Sequence, residues 1–294
     1  MVKVRKTDFL GKEAYEITND VVSLVVATGI GPRIVSFGFC KKGNLLRIDG
    51  EDFFSEDNCY KFYGGHRLWH APEDKVRSYQ PDNEPCETEV LELGIKVSNV
   101  EKENKIKKTM QIEMKDNGRV RIIHTVENLS NFCVHLAPWA ITQMKVGGLG
   151  VIPQITKKTG LLPNRSISLW DYTDLSDSRL KFGGDFIYVK QDEKVKKALK
   201  IGVYNPEGYM YYFVDGDLFV KEFDVSQGEF PDFGCNCELY VNENFLELES
   251  LGEMQELCPG ESCEHTEVWS IIEKVPCPTE EKFAEMNVSE PIHA

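Results

Sequence analysis

The stretch Tyr63 to Glu73, YGGHRLWHAPE, sets two histidines, an arginine, a tryptophan and a glutamate almost side by side. Such side chains can ligate a metal, move protons, grip an anion or stack on a sugar. His66 has an intrinsic pKa suited to proton transfer near neutral pH. Arg67 can offer a fork of hydrogen bonds to hydroxyls, a carboxylate or a phosphate. Trp69 carries a large apolar ring that could lie on a sugar face. Gly64 and Gly65 permit a sharp turn, after which His66 and Arg67 are expected to project into a cleft. As a metal site, His66, His70 and Glu73 would need a helix to converge. Gly64, Gly65 and Pro72 flank the segment too closely for that, and the glutamate that follows the first histidine of a zincin is missing. We expect no metal and no cofactor; an ordinary structural turn is the alternative.

A second chemical segment is FLELESL, Phe245 to Leu251. On a strand, alternation sets Leu246 and Leu248 on one face and Glu247 and Glu249 on the other. Two carboxylates two positions apart lie about 7 Å from each other, which suits a base with a hydrogen-bonding neighbour. A solvated acidic face is the plainer alternative. A third is PNRSISLWDYTDLSDSR, Pro163 to Arg179, where Trp170 and Tyr172 stand among acids with Arg165 nearby. A pyranose has an apolar C–H face and a polar rim, so aromatic platforms edged by hydrogen-bonding groups match it. These two rings could equally fill an edge of the core. His124 and His265 sit in strand-like runs and are expected to be structural.

These segments must be held by strands. Short alternating runs recur at roughly ten-residue spacing. Asp116-Asn117-Gly118, Asp215-Gly216 and Asn242 to Asn244 read as hairpin turns. The best helical pattern is the short run Thr279 to Met286. ATGIGPRI resembles the start of a dinucleotide loop, but Ile34 holds the third glycine position and a strand follows, so a turn is expected. With no linker or repeat, residues 1–294 read as one all-β domain, a large antiparallel two-sheet sandwich.

The formal charge of −14 over 294 residues argues against a nucleic-acid partner. No apolar run is long enough to cross a bilayer, and the N-terminal residues lack the apolar stretch of a secretory signal. We therefore expect a cytoplasmic protein whose nine cysteines are mostly reduced thiols. No nucleophile motif or P-loop is present.

Three segments in order resemble the galactose mutarotase-like proteins, the aldose 1-epimerases and their relatives. They are SLVVATGIGPRIVSFGFCKKGNLLR, VENLSNFCVHLAPWAITQM and ENFLELESLGEMQELCPGESCEHTEVWSI. The resemblance implies a supersandwich with a sugar cleft on a concave sheet. It also implies interconversion of sugar anomers, with a glutamate of the C-terminal half as base and a central histidine as acid. Glu249 is the expected base, with Glu247 as second choice. Trp139 stands where the family carries its histidine; His135, four positions upstream, shares its face. His66 or His70 would then supply the acid.

The expected ligand is a small carbohydrate, bound by Arg67, Trp69, Glu73, Trp139, Gln143, Arg165, Trp170, Tyr172 and Glu247. The primary expectation is a carbohydrate-binding protein that could also epimerise. An active epimerase is the alternative, a two-carboxylate glycosidase using Glu73 and Glu249 is another, and a partner-binding sandwich without a small ligand is a different class.

Overall fold

The computed structural model describes residues 1–54 and 60–276. The helical reading of Thr279 to Met286 lies outside the described residues. The regular structure of the described residues is almost wholly antiparallel strand, as the alternating pattern predicts.

One sheet runs, in spatial order, through Lys3–Phe9, Lys12–Thr18, Val22–Ala27, Arg33–Phe39 and His66–Ala71. It continues through Val134–Met144, Leu246–Leu251, Cys237–Val241, Leu199–Val203 and Ile167–Leu169, with Gln255–Leu257 also paired to Val134–Met144. The second sheet runs Leu180–Phe182, Phe186–Lys190, Leu149–Pro153, Tyr209–Val214 and Asp217–Phe223. It ends with Ser262–Glu273, Val120–Asn128, Ile106–Met114, Gly94–Glu101 and Glu87–Val90. Ile48–Phe54 and Lys61–Gly64 form a small separate pair.

The expected hairpins form. Asp116 to Gly118 joins Ile106–Met114 to Val120–Asn128, and Asp215-Gly216 joins Tyr209–Val214 to Asp217–Phe223. Asn242 caps its own turn by accepting from the backbone N–H groups of Asn244 and Phe245. The glycine-rich run before Arg33 is a turn between Val22–Ala27 and Arg33–Phe39.

The two sheets pack face to face. Leu24, Phe37, Leu68, Met144, Leu246 and Leu248 of the first meet Met110, Ile122, Phe219 and Trp269 of the second in one apolar core. This two-sheet sandwich is the architecture expected from the sequence. Cys133 and Cys258 form a disulfide, an exception among cysteines expected to be mostly reduced thiols. Pairing of Val134 with Leu257 brings together cysteines 125 positions apart. Cys40, Cys86, Cys235, Cys237 and Cys263 are free thiols. No helix among the described residues is long and apolar enough to cross a membrane.

A polar knot interrupts the apolar core. Lys221 Nζ lies 2.7 Å from Glu267 Oε1 and donates toward the carbonyls of Ala140 and Leu248 and toward Thr142 Oγ1, each at 3.0 Å. Burial opposes both charges, but these oxygens surround the ammonium, and Glu267 also accepts from Ser250 and Trp269. His124 Nδ1–H donates to the His265 carbonyl, which leaves its Nε2 as acceptor for His66 Nε2–H at 2.8 Å. His66 Nδ1 then accepts from Thr142. His265 Nε2–H donates to Ser250 Oγ, whose hydroxyl is spent on Glu267. The three imidazoles of this knot therefore fit the network in their neutral form, and burial pushes all three pKa values down, that of His265 to about 3.

The sign of the pH dependence follows. Below the ordinary histidine pKa the unfolded chain binds protons that the folded chain refuses, so stability falls with pH. Urea midpoints measured from about pH 7 down to about pH 4 should drop, with a loss of stability on the order of 1 kcal/mol per pH unit for each of these three histidines. A flat profile across that range would contradict the neutral network.

Candidate functional site

The site is built by side chains that alternate away from the core on five neighbouring strands. Arg67 and Trp69 come from His66–Ala71, and Trp139 and Ile141 from Val134–Met144. Glu247 and Glu249 come from Leu246–Leu251, Tyr240 from Cys237–Val241 and Lys200 from Leu199–Val203. Register sets Trp139 beside Trp69, Ile141 between Arg67 and Glu249, and Glu249 beside Glu238. Phe62, Glu73, Tyr79, Trp170, Tyr172 and Phe245 rise around them. Together they enclose a cleft of about 360 Å3, at the small end of ligand pockets.

The polar floor is only partly satisfied. Glu249 Oε2 accepts from Trp139 Nε1 at 2.7 Å and Lys200 Nζ at 2.9 Å. Its Oε1 has no hydrogen-bond partner among the described residues. Glu247 Oε1 accepts from Arg67 Nη2 and Gln143 Nε2, both at 3.0 Å. Arg67 Nε and Nη1 are likewise buried without partners among the described residues. Burial pushes the Glu247 carboxyl up, against the pull of Arg67. Burial alone would discharge Lys200, but Glu238 at 2.7 Å and Glu249 raise its pKa well above the usual lysine value. Its ammonium also sits over the rings of Trp139 at 4.7 Å and Trp170 at 4.6 Å. Burial and the neighbouring carboxylate Glu73 push the Tyr79 phenol up, so it stays a donor, and it donates to Glu73 at 2.7 Å.

The aromatic wall is held from behind. Trp69 packs edge-on against Trp139 and Tyr79, with Arg67 lying 4.5 Å over its ring. Trp69 Nε1 donates to Tyr60, whose hydroxyl also meets Arg33. Arg33, wholly buried, forks onto both oxygens of Asp82 at 3.0 and 2.9 Å. That ion pair ties the segment carrying Glu73 and Tyr79 to the sheet.

Arg67, Trp69, Glu73, Trp139, Trp170, Tyr172, Glu247 and Glu249 thus converge on one cleft, with Gln143 bracing Glu247 from beneath. His66 and His70 do not, which corrects the expectation that they project into it. Gly64 and Gly65 do make the turn, at φ values of 81° and 75°, and a Cβ at Gly65 would meet the Ile34 carbonyl at 2.2 Å. The strand starts directly after it, so alternation sends His66 and His70 inward and Arg67 outward. His70 Nε2 lies 3.1 Å from Glu101, which also pairs with Lys108. His66, His124 and Glu267 are close enough to share a metal ion, but their ligand atoms are already committed to the bonds described above. Arg165 is exposed and donates to Gln154, outside the cleft. His135 lies farther along the same face, outside the lining. Sequence reading missed Lys200, Tyr79 and Tyr240. The available signal was Lys200 alone among apolar neighbours in LKIGV, on the face opposite Leu199 and Ile201.

No protein-family model and no curated protein matches the chain. Solved structures do. A TPR-domain-containing protein from Parabacteroides distasonis aligns over 96% of this chain at TM-score 0.65 and 13% identity; the chain spans about half, 49%, of that protein. A protein provisionally assigned as an aldose 1-epimerase from Escherichia coli K12 aligns over 93% of this chain and 100% of its own, at TM-score 0.59 and 8% identity. A galactose mutarotase-like protein from Clostridium acetobutylicum aligns over 92% and 99%, at TM-score 0.57 and 13% identity.

Lys200→Met tests the charge balance of the floor. It leaves Glu238 and Glu249 facing each other without their ammonium, at a cost of about 3–5 kcal/mol near neutral pH. Acidification should recover part of that loss, because the carboxyls can then protonate. Urea denaturation at about pH 7 and about pH 5 reads both effects; an unchanged midpoint would show the pairing to be idle.

Proposed function

The chain has the galactose mutarotase-like fold, and from that fold and the cleft chemistry we propose that it binds a small carbohydrate on the concave sheet. The observation that carries this reading is the set of unpaired polar atoms inside an aromatic-walled cleft. Glu249 Oε1 is an open acceptor, and Arg67 Nε and Nη1 are open donors. A sugar hydroxyl both donates and accepts, so one pyranose edge can satisfy both kinds. Trp69, Trp139, Trp170 and Tyr172 supply apolar surface for its C–H face. Buried polar atoms of this kind cost free energy until they are paired, which favours a hydroxyl-rich ligand over a purely apolar one.

A second reading, an aldose 1-epimerase, is favoured by Glu249 alone. Its open oxygen could take the anomeric proton while an N–H of Lys200 faces the ring oxygen. The C1–O bond of the ring would break, the carbonyl would rotate, and closure would reverse the steps. Proton return to the ring oxygen needs an acid with a pKa near working pH. Lys200 holds its proton too tightly for that, and no histidine lines the cleft among the described residues. Binding is therefore placed ahead of turnover.

Calorimetry and thermal shift with a panel of hexoses and pentoses test the binding reading. At least one sugar should raise the melting temperature, and Glu249→Gln or Trp139→Ala should weaken it about tenfold or more. If no sugar shifts the melting temperature, the reading fails. Polarimetry of freshly dissolved anomers tests turnover. Acceleration that Glu249→Gln abolishes would favour the epimerase; acceleration that survives it would remove Glu249 as base.

A further inference from the structure

From a groove that lies beside the cleft, we infer a second sugar subsite, so that the ligand is an oligosaccharide rather than a single ring. The inference rests on the carbohydrate reading above. The groove is about 720 Å3 and is lined by Pro72, His135, Tyr204, Glu229, Phe233 and Met254, among others. It adjoins the cleft at two places. Pro72 precedes Glu73 of the cleft rim, and Met254 packs against the cluster that contains Trp69 and Trp139.

The two sites share one strand face. On Val134–Met144, Trp139, Ala137 and His135 point the same way by alternation. Four residues of strand carry the face about 13 Å from Trp139 to His135. Between them the strand offers only Ala137, paired with Ala71, and both are fully buried. Both alanines lie in the cluster of Tyr60, Trp69, Trp139 and Leu251 against which Met254 packs, so cleft and groove flank one apolar cluster that a chain of linked rings would cross.

The groove repeats the chemistry of the cleft. Phe233 and Tyr204 supply rings, His135 and Glu229 supply hydrogen-bonding groups. Phe233 is 98% exposed on a turn whose residues Asp232 and Phe233 have φ values of 50° and 63°. Two successive side-chain-bearing residues in the left-handed region cost backbone energy. The turn is held there by Ser168 Oγ–H donating to the Asp232 carbonyl at 2.7 Å and by Cys235 N–H donating to the Pro231 carbonyl at 2.9 Å. Nothing in the core needs that ring. Its placement at the rim of the groove is that of a stacking platform.

The test compares binding of glucose and galactose with binding of maltotetraose, cellotetraose and galactotetraose to the full chain by calorimetry. At least one tetrasaccharide should bind about tenfold or more tightly than its monosaccharide. Phe233→Ala should remove that gain and leave monosaccharide affinity unchanged, and Phe233→Tyr should retain it. If a monosaccharide binds and every tetrasaccharide binds no better, the second subsite is wrong and the cleft reading stands. If neither class binds, the cleft reading falls and takes the subsite with it. If Phe233→Ala leaves the tetrasaccharide gain intact, or alters only the sedimentation coefficient of the protein, the groove is not a glycan subsite.

Discussion

Two strands buried along their whole length, His66–Ala71 and Leu246–Leu251, set the constraint on which the cleft depends. Each must present apolar or neutral groups to the space between the sheets and the cleft-lining groups to the opposite side. A slip of one residue would drive Glu247 and Glu249 into the core and turn Leu246 and Leu248 toward the cleft. That penalty specifies register strongly. It also means that the cleft acids are buried beside other charges, so cations must accompany them. Arg67 and Lys200 do this on the cleft side, and Lys221 does it behind.

Lys221 links the two layers. It comes from the second sheet, yet its ammonium is bonded to the carbonyls of Ala140 and Leu248, next to Trp139 and Glu249 in sequence. The backbone that displays the cleft floor is therefore pinned from the core side. Arg33 and Asp82 do the corresponding work at the rim, fixing the segment that carries Tyr79 and Glu73. A site held by packed, hydrogen-bonded supports can keep open donors and acceptors in place for a ligand, because the scaffold does not collapse onto them.

The fold is shared with aldose 1-epimerase-like and galactose mutarotase-like structures at identities of 8–13%, a level that carries architecture and not chemistry. The chemistry must come from the residues. The floor carries a lysine between two indole rings and two carboxylates, and an indole whose N–H is spent on Glu249. That arrangement fixes charge and shape firmly, and the cleft carboxyl that burial pushes up, Glu247, is held by Arg67 and Gln143.

Much of this was legible in the chain. Alternation in FLELESL separated Leu246 and Leu248 from Glu247 and Glu249, and the Asp-Asn-Gly and Asp-Gly turns located hairpins, because strand period and turn chemistry are local properties. The direction of His66 was not legible. It depends on where the strand begins after Gly65, and that is decided by how closely Ile34 approaches the turn. The role of Lys200 was not legible for a different reason. Its role arises from Glu238, Glu249, Trp139 and Trp170, which reach it from other strands and a loop. The sequence by itself determined which residues share a face. Only the tertiary structure decided which faces meet, because buried charges find their partners across the sheet rather than along the chain.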